Sequence, residues 1–132
     1  MIIFLDANIL FSAALSGSRM HAFLGMLFEQ ATCLTNAYAI EEAKRNLELK
    51  FPDATHRLDS LVKKCKLISA VVTDLKVVLP AKDIPILGGA IAGEATHLLT
   101  GDERDFGVYF GKKIQGVKIV SPRMLIKELG LS

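Results

Sequence analysis

Two short apolar runs, each closed by an aspartate, constrain this chain more than any other feature. Met1-Ile-Ile-Phe-Leu5 ends at Asp6, and His97-Leu-Leu-Thr-Gly101 ends at Asp102. Between them the pattern alternates strand-like with helix-like segments, so an α/β fold with a mainly parallel sheet is expected. If both runs are parallel strands, both carboxylates project from the same edge of one sheet. In open α/β sheets that carboxyl edge is where ligands bind.

The segments can be placed from periodicity and from stop signals. Ile2–Leu5 reads as a buried strand, 9–15 as a short helix closed by Ser16-Gly-Ser18, Arg19–Gln30 as a second helix, and Thr32–Thr35 as a weak strand. Asn36 can cap the next helix, which sets Ala39, Ile40, Ala43 and Leu47 on one face. Pro52-Asp53 breaks that helix and starts another, expected to run through Lys66 into a strand near 67–72. Asp83-Ile-Pro85 opens a further helix, where proline is tolerated because the first turn needs no N–H. His97–Leu99 and Val117–Val120 read as strands, and Ser121-Pro122 begins a last helix through Leu129, stopped by Gly130. Gly88-Gly89 falls inside a helix, where it suits close packing better than phosphate binding. No repeat or linker interrupts the chain, so residues 1–132 are expected to form one domain.

Composition narrows the function classes. Apolar residues make up 51% of the chain, yet no stretch approaches the roughly 18 apolar residues of a membrane helix. Asp6 interrupts the first run and no basic segment precedes it, so a secretory signal is not expected. Such hydrophobicity in a small chain implies a covered surface, which points to a homodimer or a bound partner. Cys33 and Cys65 have neither metal-ligand spacing nor the density of a disulfide scaffold, which fits a reduced, cytoplasmic setting. The net charge is only +2. Setting Asp6, Glu42, Asp83 and Asp102 aside takes the 14 acids to 10 against 16 basic residues, which leaves a surface suited to a phosphate backbone.

The acids carry the chemistry. Asp6-Ala-Asn8 lies at the first strand-to-helix turn, where Asp6 could cap the helix or bind a metal and Asn8 could hydrogen-bond a carboxylate or a substrate oxygen. Asp83 stands at a helix start, where a cap is the simpler role. Glu41 and Glu42 flank one apolar helix face, and periodicity does not choose between them. Asp102 follows Thr100-Gly101, with glycine for a tight turn and Thr100 able to brace a carboxylate. Glu103 and Asp105 come next in the loop. Carboxylates packed together repel, so a cluster of this kind needs a cation. Oxygen ligands without nearby histidine or cysteine favour Mg²⁺ or Mn²⁺ over zinc. His21, His56 and His97 share no ligand spacing, and no Ser-His-Asp set or phosphate-binding glycine loop is apparent.

Four motifs, in this order and spacing, resemble those of the PIN domains, a family that includes the VapC-like toxins of toxin–antitoxin pairs. They are Ile3-Phe-Leu-Asp6-Ala-Asn8, Ala39-Ile-Glu-Glu42-Ala-Lys-Arg-Asn-Leu47, Lys82-Asp83-Ile-Pro-Ile-Leu87 and Leu99-Thr-Gly-Asp102-Glu-Arg-Asp105-Phe106. The resemblance covers nearly the whole chain. It implies a Rossmann-like three-layer α/β/α sandwich and a metal-dependent ribonuclease, with Asp6, Glu42, Asp83 and Asp102 as the acidic tetrad. It selects Glu42 over Glu41, five residues before Leu47, and gives Asp105 a more variable place beside the metal. Asn8 and Thr100 would support the ligands or touch substrate, while Arg45, Lys82 and Arg104 would steer the RNA backbone. The partners implied are RNA and a small antitoxin. Two rivals are an aspartate-based phosphatase or phospho-acceptor domain, disfavoured because no second Asp follows Asp6 two residues on, and a silent RNA-binding or assembly module of the same fold.

Overall fold

The computed structural model describes residues 1–131. The sheet is built on β1 (Ile2–Leu5), whose residues Ile3, Phe4 and Leu5 are fully buried. Three successive buried apolar residues require cover on both faces of a strand, because alternate side chains point opposite ways. Phe4 lies under α5 (Ile84–Ala92), where a Cβ on Gly89 would stand 3.2 Å from its ring. Ile3 and Leu5 therefore point to the other face. That face is covered by α1 (Ala7–Ala14), with α2 (Arg19–Gln30), α3 (Ala37–Lys50) and α4 (Thr55–Val62) packed around it.

Strand order is β3-β2-β1-β4-β6-β5, with β2 at Thr32–Thr35, β3 at Lys66–Leu67, β4 at His97–Leu99, β5 at Lys113–Ile114 and β6 at Val117–Val120. All pairings are parallel except β5 with β6. The chain steps outward from β1 to β2 to β3, then crosses back to β4 on the far side of β1. Right-handed crossovers carry α1–α4 over one face and the returning α5 over the other. A short α6 (Glu103–Phe106) follows β4, and α7 (Pro122–Glu128) follows β6.

Register decides what meets at the carboxyl edge. Leu5 pairs with Leu99, and the ladder continues one step as Asp6 N–H donates to Leu99 O at 3.1 Å. Asp6 and Thr100 therefore leave the sheet side by side. Asn36, at the end of β2, accepts from Ala39 N–H at 3.1 Å as the α3 cap and donates through Nδ2 to Pro85 O at 3.0 Å. That second bond pins the start of α5, and with it Asp83, against the same edge.

Most expected elements lie where the sequence puts them, and the differences have local causes. The helix after Pro52 stops at Val62 rather than Lys66, and the strand expected near 67–72 shrinks to Lys66–Leu67. The segment that follows is held by tertiary bonds instead, including Val72 N–H to Gly88 O at 3.0 Å and Lys76 N–H to Gln115 Oε1 at 2.9 Å. Periodicity also did not indicate α6 or β5, which span four and two residues and are too short to carry a period. Gly88 is a packing glycine: a Cβ there would lie 2.2 Å from Val72 O.

Candidate active site

Asp6 is the best-organised of the acids. It caps α1, accepting from Ala7 N–H at 2.6 Å through Oδ1, so the capping and site roles coincide in one side chain. Its other oxygen accepts from Thr100 Oγ1 at 2.8 Å and Asn8 Nδ2 at 3.2 Å. Asn8 is itself oriented by Gly101, whose N–H donates to Asn8 Oδ1 at 2.7 Å. Thr100 Oγ1 in turn accepts from Asp102 N–H at 3.1 Å. The two apolar runs thus end in one hydrogen-bonded knot. Burial pushes the Asp6 carboxyl up to about 6, against the hydrogen bonds from Thr100 and Ala7, and the charges of Glu42 and Asp102 push the same way.

Asp83 stands at the N-cap position of α5 but makes no capping bond, so the capping role expected for it is absent. It is 6% exposed, and its Oδ2 is buried without a hydrogen-bond partner among the described residues. A buried carboxylate oxygen in that condition is costly unless a proton or a cation satisfies it. Burial, a hydrogen bond shared with Asp105 and the charges of Asp105 and Asp6 raise the Asp83 carboxyl to about 7, against the pull of the Lys82 ammonium. Asp105 moves the other way, held below the ordinary carboxylate range by that hydrogen bond and by Lys82 at 3.4 Å. A bound cation would relieve the repulsion that raises Asp83.

Oxygens of Asp83, Asp102 and Asp105 all lie within 4.8 Å of one another. This group differs from the expected tetrad in its membership. Asp105, given a variable place from sequence, stands inside it. Asp6 adjoins it through Thr100 and through its charge on Asp83. Glu42 is partly buried, lines a small cavity with Asn8 and adds its charge to Asp6, whereas Glu41 is exposed. Asp102 also caps α6, accepting from Asp105 N–H at 3.0 Å, which fixes two members of the group to each other. Lys82 is exposed beside Asp105, and Arg45, Arg104 and Glu103 are exposed as well.

The three histidines lie outside this group. His97 is buried at the opposite end of β4 and bonds Glu128 Oε2 at 2.7 Å. His21 Nδ1 lies 2.9 Å from Ala13 O, and His56 is exposed.

No protein-family profile matches the sequence, and neither does any curated protein. Among solved structures, the fold matches a chain of VapBC2 from Rickettsia felis, crystallised bound to a DNA fragment from their promoter. The TM-score is 0.68 at 18% identity, over 92% of this chain and 98% of that one. A likeness at this identity is one of fold. The chain has the PIN-like α/β/α fold that its four motifs resemble.

Proposed function

We propose that this chain is a metal-dependent endoribonuclease that hydrolyses RNA phosphodiester bonds at the carboxyl edge of its sheet. The observation that carries the reading is the group of Asp83, Asp102 and Asp105 oxygens with a buried Asp83 Oδ2 that no donor among the described residues reaches. An all-carboxylate donor set with one unsatisfied oxygen fits a hard divalent cation, Mg²⁺ or Mn²⁺. Asp83, Asp102 and Asp105 would hold it, with Asp6 and Glu42 adding negative charge from the side. Bound there, the ion supplies Lewis acidity toward the phosphodiester and activates water.

The chain's own groups do the positioning. Thr100 and Asn8 keep the Asp6 carboxylate in one orientation, so it adds charge without needing to reorganise. Lys82, 63% exposed and 3.4 Å from Asp105, is placed to meet a backbone phosphate as it approaches the acids. Arg45 and Arg104, also exposed, steer the polyanion toward the edge.

On the same reading the chain is the toxin of a toxin–antitoxin pair, acting in the cytoplasm and silenced by a small protein. The shared fold with a chain of VapBC2 supports this. No helix among the described residues is long and apolar enough to cross a membrane. Val78 is 89% exposed, Leu49 79% and Val108 72%, and apolar side chains this open suit cover by a second copy in a homodimer or by an antitoxin segment.

Cleavage of single-stranded RNA tests the proposal directly. Turnover is expected with Mg²⁺ or Mn²⁺, none in chelator, and strong loss in Asp102→Asn. Full cleavage in chelator, or a fully active Asp102→Asn protein, would remove the metal-nuclease reading.

A further inference from the structure

Beside the acids runs a basic, aromatic groove that the metal chemistry does not use. Its inner part is a cavity of about 120 Å³ lined by Asn8, Phe11, Glu42, Asn46 and Lys50. Its outer part, about 420 Å³, continues from Lys50 past Phe51 and Pro52 to Ser16 and Arg57. Lys50 lines both, so the two hollows adjoin at its side chain, the inner one reaching Asn8 and Glu42 and the outer one Ser16 and Arg57.

The groove has a distinctive lining. The rings of Phe11 and Phe51 sit 6.1 Å apart, tilted by 56°, and Lys50 Nζ stands 5.9 Å from the centre of Phe11. Phe51 is 48% exposed although it is the largest apolar side chain at the end of α3. Arg57 donates from Nε to Ala14 O at 2.6 Å, which fixes the plane of the guanidinium. No carboxylate among the described residues forms a salt bridge with Lys50 or Arg57. Asp53 is the one acid lining the outer part. An open aromatic face flanked by two cations without ion-pair partners is complementary to a base with its phosphates.

We propose that this groove is a nucleotide subsite: an unpaired base stacks on the open face of Phe51, and the flanking phosphates lie on Lys50 and Arg57. The proposal rests on the RNA-hydrolase reading and adds to it the place where an unpaired base is held. Bases in a duplex have their faces covered by neighbours and cannot reach Phe51. Periodicity hides the site, because Phe11 and Phe51 read as ordinary apolar helix positions.

The chain contains no tryptophan, so Phe51→Trp introduces a single fluorescent indole at the stacking position. In chelator, a short oligouridylate is expected to quench that indole. An abasic ribose–phosphate oligomer of equal length, or a duplex, should bind about tenfold more weakly. With Mg²⁺ or Mn²⁺, Phe51→Ala should raise KM for the oligouridylate about tenfold and change kcat far less, and Phe51→Tyr should restore KM. Lys50→Gln should lower the slope of log affinity against log salt by about one. The subsite is overturned by absent quenching, by equal binding of the abasic oligomer or the duplex, or by an unmoved KM in Phe51→Ala. It is also overturned if the groove binds a protein segment but no RNA. If the unaltered chain cleaves no RNA, the nuclease reading falls, and the chelator titration still decides whether the groove binds unpaired bases.

Discussion

The two ends of β4 handle charge in opposite ways. At the amino end, His97 bonds Glu128 at 2.7 Å, and Lys118 meets the same carboxylate at 3.1 Å. Burial alone would raise Glu128, but the Lys118 ammonium and His97 hold it below the ordinary range. That end is a closed circuit. At the carboxyl end, Asp83 and Asp6 are raised to about 7 and about 6, and among the described residues the one cation in a salt bridge there is the exposed Lys82, with Asp105. Both ends contain partly buried acids, so burial alone does not mark a functional site. What distinguishes them is the missing countercharge, and an uncompensated buried carboxylate cluster is stable only with protons or cations supplied from outside.

The largest expected effect tests the uncompensated end. Asp83→Asn or Asp102→Asn should lower Mg²⁺-supported RNA cleavage at least ~100-fold, the upper end of what losing a mere supporting partner of a ligand costs. Asp105→Asn should rank with them rather than below them, because Asp105 stands inside the three-carboxylate group. Single-turnover cleavage rates check this ordering, and a nearly normal Asp105→Asn enzyme would restore the ranking read from the motifs alone.

A smaller loss, about tenfold, is expected for Thr100→Val, which keeps shape but removes the hydroxyl that orients Asp6 and accepts from Asp102 N–H. Titration of Mn²⁺ binding should show weakened affinity in a folded protein. Unchanged affinity and unchanged turnover would make Thr100 a purely structural residue.

The third effect is on stability, and it has opposite signs at the two ends. The folded-state carboxyls of Asp83 and Asp6 lie above the 3.8 of an ordinary aspartate. Protonation therefore favours the folded form, and the contribution is full below pH ~4 and lost as the pH rises through about 6 to 7. Between pH 5 and pH 8 the metal-free protein should lose stability on the order of 4 kcal/mol, and added Mn²⁺ should restore it at pH 8. Urea unfolding at pH 5 and pH 8 in chelator measures it. A flat profile would mean that the carboxylates are relieved some other way.

Glu128 should do the reverse and do less. Its folded pKa lies below the 4.5 of an ordinary glutamate, so its contribution is present above that value and lost as the pH falls through the lowered one. Glu128→Gln should cost no more than about 1 kcal/mol at pH 7 and leave RNA cleavage untouched. Impaired cleavage in this variant would erase the contrast between the two ends.

Much of this organisation is legible in the residues themselves. Asp6 and Asp102 follow apolar runs whose length and position mark them as strands, and Gly101 and Thr100 mark the turn between sheet and loop. Asn36 as a cap and Gly88-Gly89 as a packing pair follow equally from local chemistry. Other features were hidden. Periodicity leaves Glu41 and Glu42 equivalent, since both border the apolar stripe of α3, and only the structure separates them, with Glu42 partly buried and Glu41 exposed. Asp83 carried the signature of a helix cap, yet its carboxylate leaves the α5 N–H groups unbonded.

What the sequence determined by itself, then, is the alternation of strand and helix and the placing of acids at the ends of strands. Those depend on backbone propensity and apolar spacing, which act over a few neighbouring residues. The membership of the acidic group was decided only by tertiary structure. Asp83 and Asp102 come from opposite ends of α5 and β4, and Asp105 joins them because α6 turns it back. The closed circuit of His97, Lys118 and Glu128 likewise needed α7 to return beside the sheet. Whether a carboxylate is compensated depends on which charges arrive from distant segments within a few ångströms, and local sequence carries no record of those distances.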